Sequence, residues 1–317
     1  MKSELQKVLE VSENVLINNA SRDFTEFAIF QFFKESGKTV VFINETLEKE
    51  RILKNFLFLD PNLKILFIEE PSEIYNFSLP NTFSIAEKIR NIGKLITEKY
   101  DLIILDYKLL LRKFPSKSFF KNFEILKRGE KFGHTNLVNK LFSFGFSRCD
   151  TAFEFGEFAV RGFIIDVGTL EGFFRIEFDG EEISGISRFN TETQRKDVGG
   201  KHFESLEISP IKEVVLTSEN LQYAKRKCFE FGFENTEKII TEMQDFGKMS
   251  LHNYLPLFYE TTENILNFLP ENCKIIINES LKMNLKFMEQ NLKQLEGLYL
   301  KEKRNILPLN LNLFPIP

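Results

Sequence analysis

Glu35-Ser36-Gly37-Lys38-Thr39-Val40-Val41-Phe42-Ile43 runs from one periodic segment into a β-branched one, and the direction of that passage decides the fold. Gly37-Lys38-Thr39 has the letters that close a phosphate loop, GxxxxGK[ST], but residue 32, where the first glycine of such a loop belongs, is Phe32. A working loop follows a strand and opens a helix, so that helix N–H groups can face the phosphate. Here the order is reversed. Phe24, Phe27, Ala28, Gln31 and Phe32 recur at helical spacing before Gly37, and the strand-forming TVVFI of Thr39–Ile43 comes after it. Gly37 is therefore read as a helix cap.

Upstream of that helix, Val15–Asn18 reads as a short strand. A phosphate loop would sit just behind it, at Asn18, Asn19, Ala20, Ser21 and Arg22. This stretch has no glycine to let the backbone wrap a phosphate and no lysine to neutralise one, so it reads as a degenerate loop without nucleotide hydrolysis. Downstream, helix and strand signals alternate. A helix is expected over about 45–58, a strand at Lys64–Ile68, and a helix over about 84–99 with Ile85, Ile89, Ile92 and Ile96 on one face. Leu102–Leu105 (LIIL) then forms a buried strand ending at Asp106. This alternation predicts an α/β fold with a parallel sheet. Asp106 has no acidic neighbour in sequence with which to hold magnesium, and reads as a strand-end turn residue.

The pattern changes after Lys113. Residues 114–131 read as a crossing segment and 135–144 as a helix ending at Gly145. From Asp150 to Pro210 the signals are antiparallel β: Phe158–Val160, Phe163–Val167, Phe174–Phe178 and Ile183–Phe189, separated by Gly162, Glu171-Gly172 and Asp179-Gly180. Asp-Gly between apolar runs is a strong hairpin signal. Helix–strand alternation returns with an amphipathic helix at Asn220–Phe231, a buried strand at Lys274–Ile277 (KIII) and a long helix at Leu281–Leu298. The simplest architecture is an α/β domain over 1–121 and 210–317, interrupted by an α+β module over 122–209.

Composition narrows the function. In 317 residues the formal net charge is -4, which argues against tight non-specific nucleic-acid binding over the whole surface. The 36 phenylalanines, with no tryptophan beside them, are read as core rather than as base-stacking platforms. Cys149, Cys228 and Cys273 stand singly, without metal-ligand or disulfide spacing, which fits a reducing cytoplasm. His134, His202 and His252 lie far apart and suggest neither a metal site nor a triad. The charged N-terminus is unlike a secretory signal, and no apolar run is long enough for a membrane span. Asn305–Pro317, apolar and proline-rich, reads as a linker toward a longer chain.

One constellation remains. Phe155-Gly156-Glu157-Phe158-Ala159-Val160-Arg161-Gly162-Phe163-Ile164-Ile165-Asp166 sets a single arginine in an otherwise apolar hairpin. Arg175 follows in Phe174-Arg175-Ile176-Glu177-Phe178, then Arg188 and Arg195. Arginine among aromatics is characteristic of protein docking surfaces.

These residues also carry a family pattern. Leu141-Phe-Ser-Phe-Gly145-Phe-Ser-Arg148 with Gly156-Glu-Phe-Ala-Val-Arg161-Gly162, then Arg175-Ile-Glu-Phe178, Glu182-Ile183, Arg188-Phe189 and Thr193-Gln194-Arg195, resembles a signature shared by UvrB and the transcription-repair coupling factors. The match runs without gaps over about 55 residues, with weaker likeness at Leu79-Pro80, Arg90 and Tyr254–Tyr259. Loss of the phosphate loop makes the chain more similar to the UvrB-like N-terminal region of the coupling factors than to UvrB, a nucleotide-dependent excision component. The resemblance implies a degenerate helicase-like (RecA-like) α/β domain and an inserted module that binds UvrA. It assigns UvrA contacts to Arg161, Arg175, Phe178 and Asp179, the last standing where the family has an aromatic residue. It implies no enzyme activity and no cofactor in this segment. ATP, magnesium, RNA polymerase and DNA would engage motor and polymerase-binding regions outside this chain.

Overall fold

The computed structural model describes residues 21–45, 48–71, 81–196, 202–214, 217–230 and 255–277, with isolated helical residues at Leu281, Phe287 and Gln290. The expected strand at Val15–Asn18, the loop residues Asn18, Asn19 and Ala20, His252, most of the helix at Leu281–Leu298 and the segment Asn305–Pro317 lie outside the described residues.

The apolar runs form a parallel sheet. β1 (Val40–Asn44) lies beside β3 (Leu102–Asp106), which carries β2 (Ile65–Ile68) on its far side, while Lys274–Ile277 (β11) flanks β1. Side chains alternate across a strand, so each run feeds two cores. Val40, Phe42, Phe67, Leu102 and Ile104 pack against Ile29 and Phe30 of α1 (Arg22–Ser36) and against Ile52 and Phe56 of α2 (Lys49–Leu59). Val41, Ile43, Leu66, Ile68, Ile103 and Leu105 face Ile89, Ile92 and Leu95 of α3 (Thr82–Thr97). The result is helices on both faces of a parallel sheet, as the alternation predicts, and each fully buried aliphatic or aromatic side chain contributes about 1.5–3 kcal/mol.

The junction at 35–43 behaves as its direction requires. Gly37 adopts φ 60, ψ 15 and its N–H donates to the Phe33 carbonyl at 2.9 Å, closing α1 immediately before β1. Only glycine takes this left-handed conformation without steric cost. The inward face of α1 differs from the expected stripe: Glu26, Ile29 and Phe30 are buried, whereas Phe24 and Phe27 are 48% and 42% exposed. Apolar residues occur all around this helix. On its inward side Glu26 accepts from Arg51 Nη2 and Asn55 Nδ2 of α2, both at 2.7 Å, beside buried Ile29 and Phe30.

One further expectation needs correction. Lys274–Ile277 is not buried on both faces: with only β1 beside it among the described residues, it is an edge strand, and Ile275 and Ile277 are 49% and 47% exposed. The crossing segment 114–131 carries secondary structure of its own. It contains a short helix, α4 (Lys117–Phe120), and a strand, β4 (Glu124–Lys127), paired antiparallel with β10 (Ser205–Ile208).

Between β4 and β10 lie α5 (His134–Ser143) and a five-stranded sheet of β5 (Ser147–Cys149), β6 (Glu157–Arg161), β7 (Ile164–Thr169), β8 (Gly172–Asp179) and β9 (Glu182–Arg188) in sequence order. The pairs from β6 to β9 are the expected antiparallel hairpins, turning at Gly162 (φ 60) and Gly180 (φ 60), while β5 adds in parallel to β6. Leu137 and Leu141 of α5 pack on Phe158, Ile165, Val167, Phe174, Ile176 and Ile186, all fully buried. This core reaches the α/β part through Ala86 of α3 and through an edge-on Phe83–Phe155 contact at 5.2 Å. The chain returns through α6 (Ser218–Glu230) to β11.

Candidate functional site: the polar face of the five-stranded sheet

Alternation gives the five-stranded sheet an apolar face on α5 and an opposite face that carries the chemistry. Register sets Ala159 beside Asp166, Asp166 beside Arg175 and Arg175 beside Ser187, with Arg161 two residues along from Ala159 on the same face. Arg161 and Arg175 thus share one face, but they are not equivalent.

Arg175 holds a fully buried carboxylate. Its Nε donates to Asp166 Oδ1 and its Nη2 to Asp166 Oδ2, both at 2.7 Å, and the two side chains are 12% and 0% exposed. Hydrogen bonding to Asp166 raises the Arg175 pKa further. Its guanidinium also sits 5.4 Å from the Phe189 ring centroid. Arg175 therefore commits its charge within the module: a carboxylate this deep calls for a paired, hydrogen-bonded cation, and Arg175 supplies it from the adjacent strand. Phe178 is turned inward. It is 6% exposed, points into the core and packs edge-on to His134 at 5.4 Å, so it presents no ring to a partner. Asp179 is exposed, opposite Glu182 at the β8–β9 turn.

Arg161 is exposed, and its Nη2 donates to Thr151 Oγ1 at 3.0 Å and to Gln194 Oε1 at 3.1 Å. Both acceptors are uncharged, so the full positive charge stays available. Next to it, Phe163 at the β6–β7 turn is 65% exposed. Arg188 belongs to the other face, where it lies 5.5 Å from the Phe174 ring centroid and donates to the Glu171 carbonyl. Arg195 is exposed on the turn after β9.

Gln194 touches both arginines, a role that its place in the Thr193-Gln194-Arg195 match did not reveal. Besides receiving Arg161, it accepts Arg175 Nη2 on its backbone carbonyl at 3.1 Å. Its φ of 56 places it in the left-handed region, the only non-glycine there among the described residues. The turn is closed by its N–H donating to the Asn190 carbonyl at 2.9 Å and by Thr193 N–H donating to Asn190 Oδ1 at 2.8 Å. Spacing gave no signal for it, since its contacts span 19 and 33 residues. Asp166 was more legible: an acid inside the apolar run Ile164–Val167 calls for a cation on the neighbouring strand.

Of the five residues Asn18–Arg22, the two that are described have structural roles: Ser21 caps α1 by accepting from Phe24 N–H at 3.2 Å, and Arg22 pairs with Glu48. Asp106 behaves as a turn residue, accepting from Lys108 N–H at 3.0 Å, and burial pushes its carboxyl up to about 6. Sequence reading also missed a buried ionic cluster: Lys88 of α3 lies 2.9 Å from both Glu70 and Glu213, with Arg112 Nε 4.0 Å from Glu70. Burial opposes the Lys88 charge, but Glu213 and Glu70 outweigh it and raise its pKa, while burial pushes the Glu213 carboxyl up. Among the described residues no group of three or more His, Cys, Asp or Glu side chains is placed to hold a metal ion, and no helix is long and apolar enough to cross a membrane.

A helix-backed sheet of this order falls in a recognised domain class: residues 125–213 match the UvrB interaction domain family. The wider chain is similar to transcription-repair-coupling factors, which bears out the resemblance read from 141–195. It is 30% identical to that of Rickettsia typhi over 270 residues and 32% identical to that of Rickettsia conorii over 273. Each alignment covers 82% of this chain. The factor of Staphylococcus aureus is 25% identical over 288 residues, 84% of this chain. The chain spans about a quarter of the length of these relatives, 24% in each case.

Proposed function

We propose that this chain is the UvrB-like region of a transcription-repair coupling factor, a docking platform that recruits UvrA during transcription-coupled nucleotide excision repair. In this reading residues 1–121 and 210–317 form a degenerate helicase-like domain and 122–209 the inserted UvrA-binding module. Hydrolysis of ATP with magnesium, and contact with RNA polymerase and DNA, belong to parts of the protein beyond this chain, and the setting is the cytoplasm. The observation that carries the reading is Arg161: an exposed guanidinium with uncharged partners, on the polar face of a module that matches the UvrB interaction domain. Such a cation suits a carboxylate on the partner and sets both encounter rate and specificity.

Calorimetric titration with UvrA tests this. Arg161→Ala is expected to weaken binding by about 2 kcal/mol or more if the partner carboxylate is desolvated in the complex. Equal affinity in parent and variant would remove Arg161 from the interface. Thermal melting with magnesium and ATP addresses the platform reading separately. No stabilisation is expected, because a ligand that binds only the native state would raise the melting temperature.

A further inference from the structure

The two arginines that share the polar face meet at one residue, and their unequal environments divide the labour between them. Arg175 spends its charge on Asp166, with two bonds at 2.7 Å to a side chain that is 0% exposed. Its remaining hydrogen bond, at 3.1 Å, is to the Gln194 carbonyl. Gln194 is held in a left-handed conformation by the Asn190 turn, and from there its side-chain oxygen receives Arg161. The neighbouring cation Lys196 is likewise neutralised, by Glu177. Arg161 is different: its bonds go only to Thr151 and Gln194 oxygens, and only its Nη2 is used.

We propose that Gln194 is the positioning residue of this surface: its carbonyl is anchored by the Asp166–Arg175 pair, and its side chain holds the Arg161 guanidinium ready for an acidic protein partner. Arg175 acts through this anchor rather than by touching the partner. The physical gain is preorganisation. A free arginine loses side-chain freedom when it docks, and one already fixed by two neutral acceptors loses less while keeping its charge and its Nε and Nη1 donors. A carboxylate in place of Gln194 would fix the arginine equally well but cancel the charge the partner must read.

This inference rests on the docking reading for its partner, so the experiment has two arms. In the first, the chain carries 15N-labelled arginine, and the Arg161 Nε–H order parameter is measured in the parent and in Gln194→Gly. Glycine keeps the left-handed backbone and the carbonyl that Arg175 needs, and loses only the side chain. Arg161 is expected to become mobile while the Arg175 Nε–H stays rigid. Gln194→Asn, which also tolerates this backbone and shortens the side chain by one methylene, gives the same reading should the glycine variant fold poorly. An unchanged Arg161 overturns the proposal whether or not UvrA binds.

In the second arm, UvrA affinity is measured for the parent, Gln194→Gly, Arg161→Ala and the double variant. Gln194→Gly alone is expected to cost about three- to tenfold, the range for newly immobilising one long side chain, and to cost nothing further once Arg161 is alanine. Equal loss in both backgrounds would show a merely structural effect and overturn the positioning role. If the parent fails to bind UvrA, the docking reading falls, while the order-parameter arm still decides whether Gln194 fixes Arg161.

Discussion

At the scale of single residues, burial rather than residue type decides what each charged side chain can do. Arg161 and Arg175 look alike in sequence, and the difference between them comes from Asp166, which lies opposite Arg175 in the register and is wholly enclosed. Asp106 shows the same principle without a strong partner. Lys108 Nζ is 3.8 Å away, and burial holds the carboxyl at about 6 against an ordinary value of 3.8. Because the folded state holds this proton more tightly than the unfolded chain, stability falls as pH rises from about 4 to about 6 and the penalty persists above that. Asp106→Asn keeps an oxygen to accept from Lys108 N–H and cannot ionise. Chemical denaturation at pH 8 should show a gain of up to about 3 kcal/mol, from a shift of about two units at 1.36 kcal/mol each, vanishing near pH 4. A variant with the parent's pH profile would remove Asp106 as its source.

Among elements, those that bury continuous apolar runs could be read directly. β1, β3 and the antiparallel strands from β6 to β9 stand where their side-chain patterns put them, and Gly37 caps α1 as its place between a helical period and a β-branched run requires. Elements defined by a distant partner could not be read this way. β4 (EILK) buries only Leu126, and its partner β10 begins 78 residues after its last residue. β5 offers three residues, none buried. β11 shows the opposite error: four apolar or aliphatic-stemmed residues imply burial, but an edge position leaves two isoleucines half open. Pattern reports what a strand could bury, whereas neighbours determine what it does bury. The same limit hid Gln194, whose importance depends on a turn that brings three strands' worth of side chains to one point.

Across the whole molecule, the parts are joined by more than apolar packing. Glu70 follows β2, Lys88 lies on α3, Arg112 follows β3 and Glu213 follows β10, so the buried ionic cluster ties the parallel sheet to the chain returning from the five-stranded sheet. Replacing Lys88 by methionine would remove the cation 2.9 Å from both Glu70 and Glu213 and leave the more distant Arg112 to offset their repulsion. The expected cost is about 3–5 kcal/mol at pH 7 by denaturant titration, as for a broken buried pair. That cost should shrink toward pH 5, because Glu213 is already pushed toward its neutral form and protonation relieves the repulsion. A pH-independent loss would instead point to packing alone.

The β4–β10 pair has a mechanical consequence. Glu124 lies opposite Ile208 and Lys127 opposite Ser205, so both flanking chains leave from the same end of the ladder. Tension drawn through Phe123 and Ser209 would load the rungs one after another, like a zip, instead of all at once as in a sliding seam. Optical-tweezer extension from those two points should therefore show an early, low-force opening of a few residues before the sheet beyond it yields.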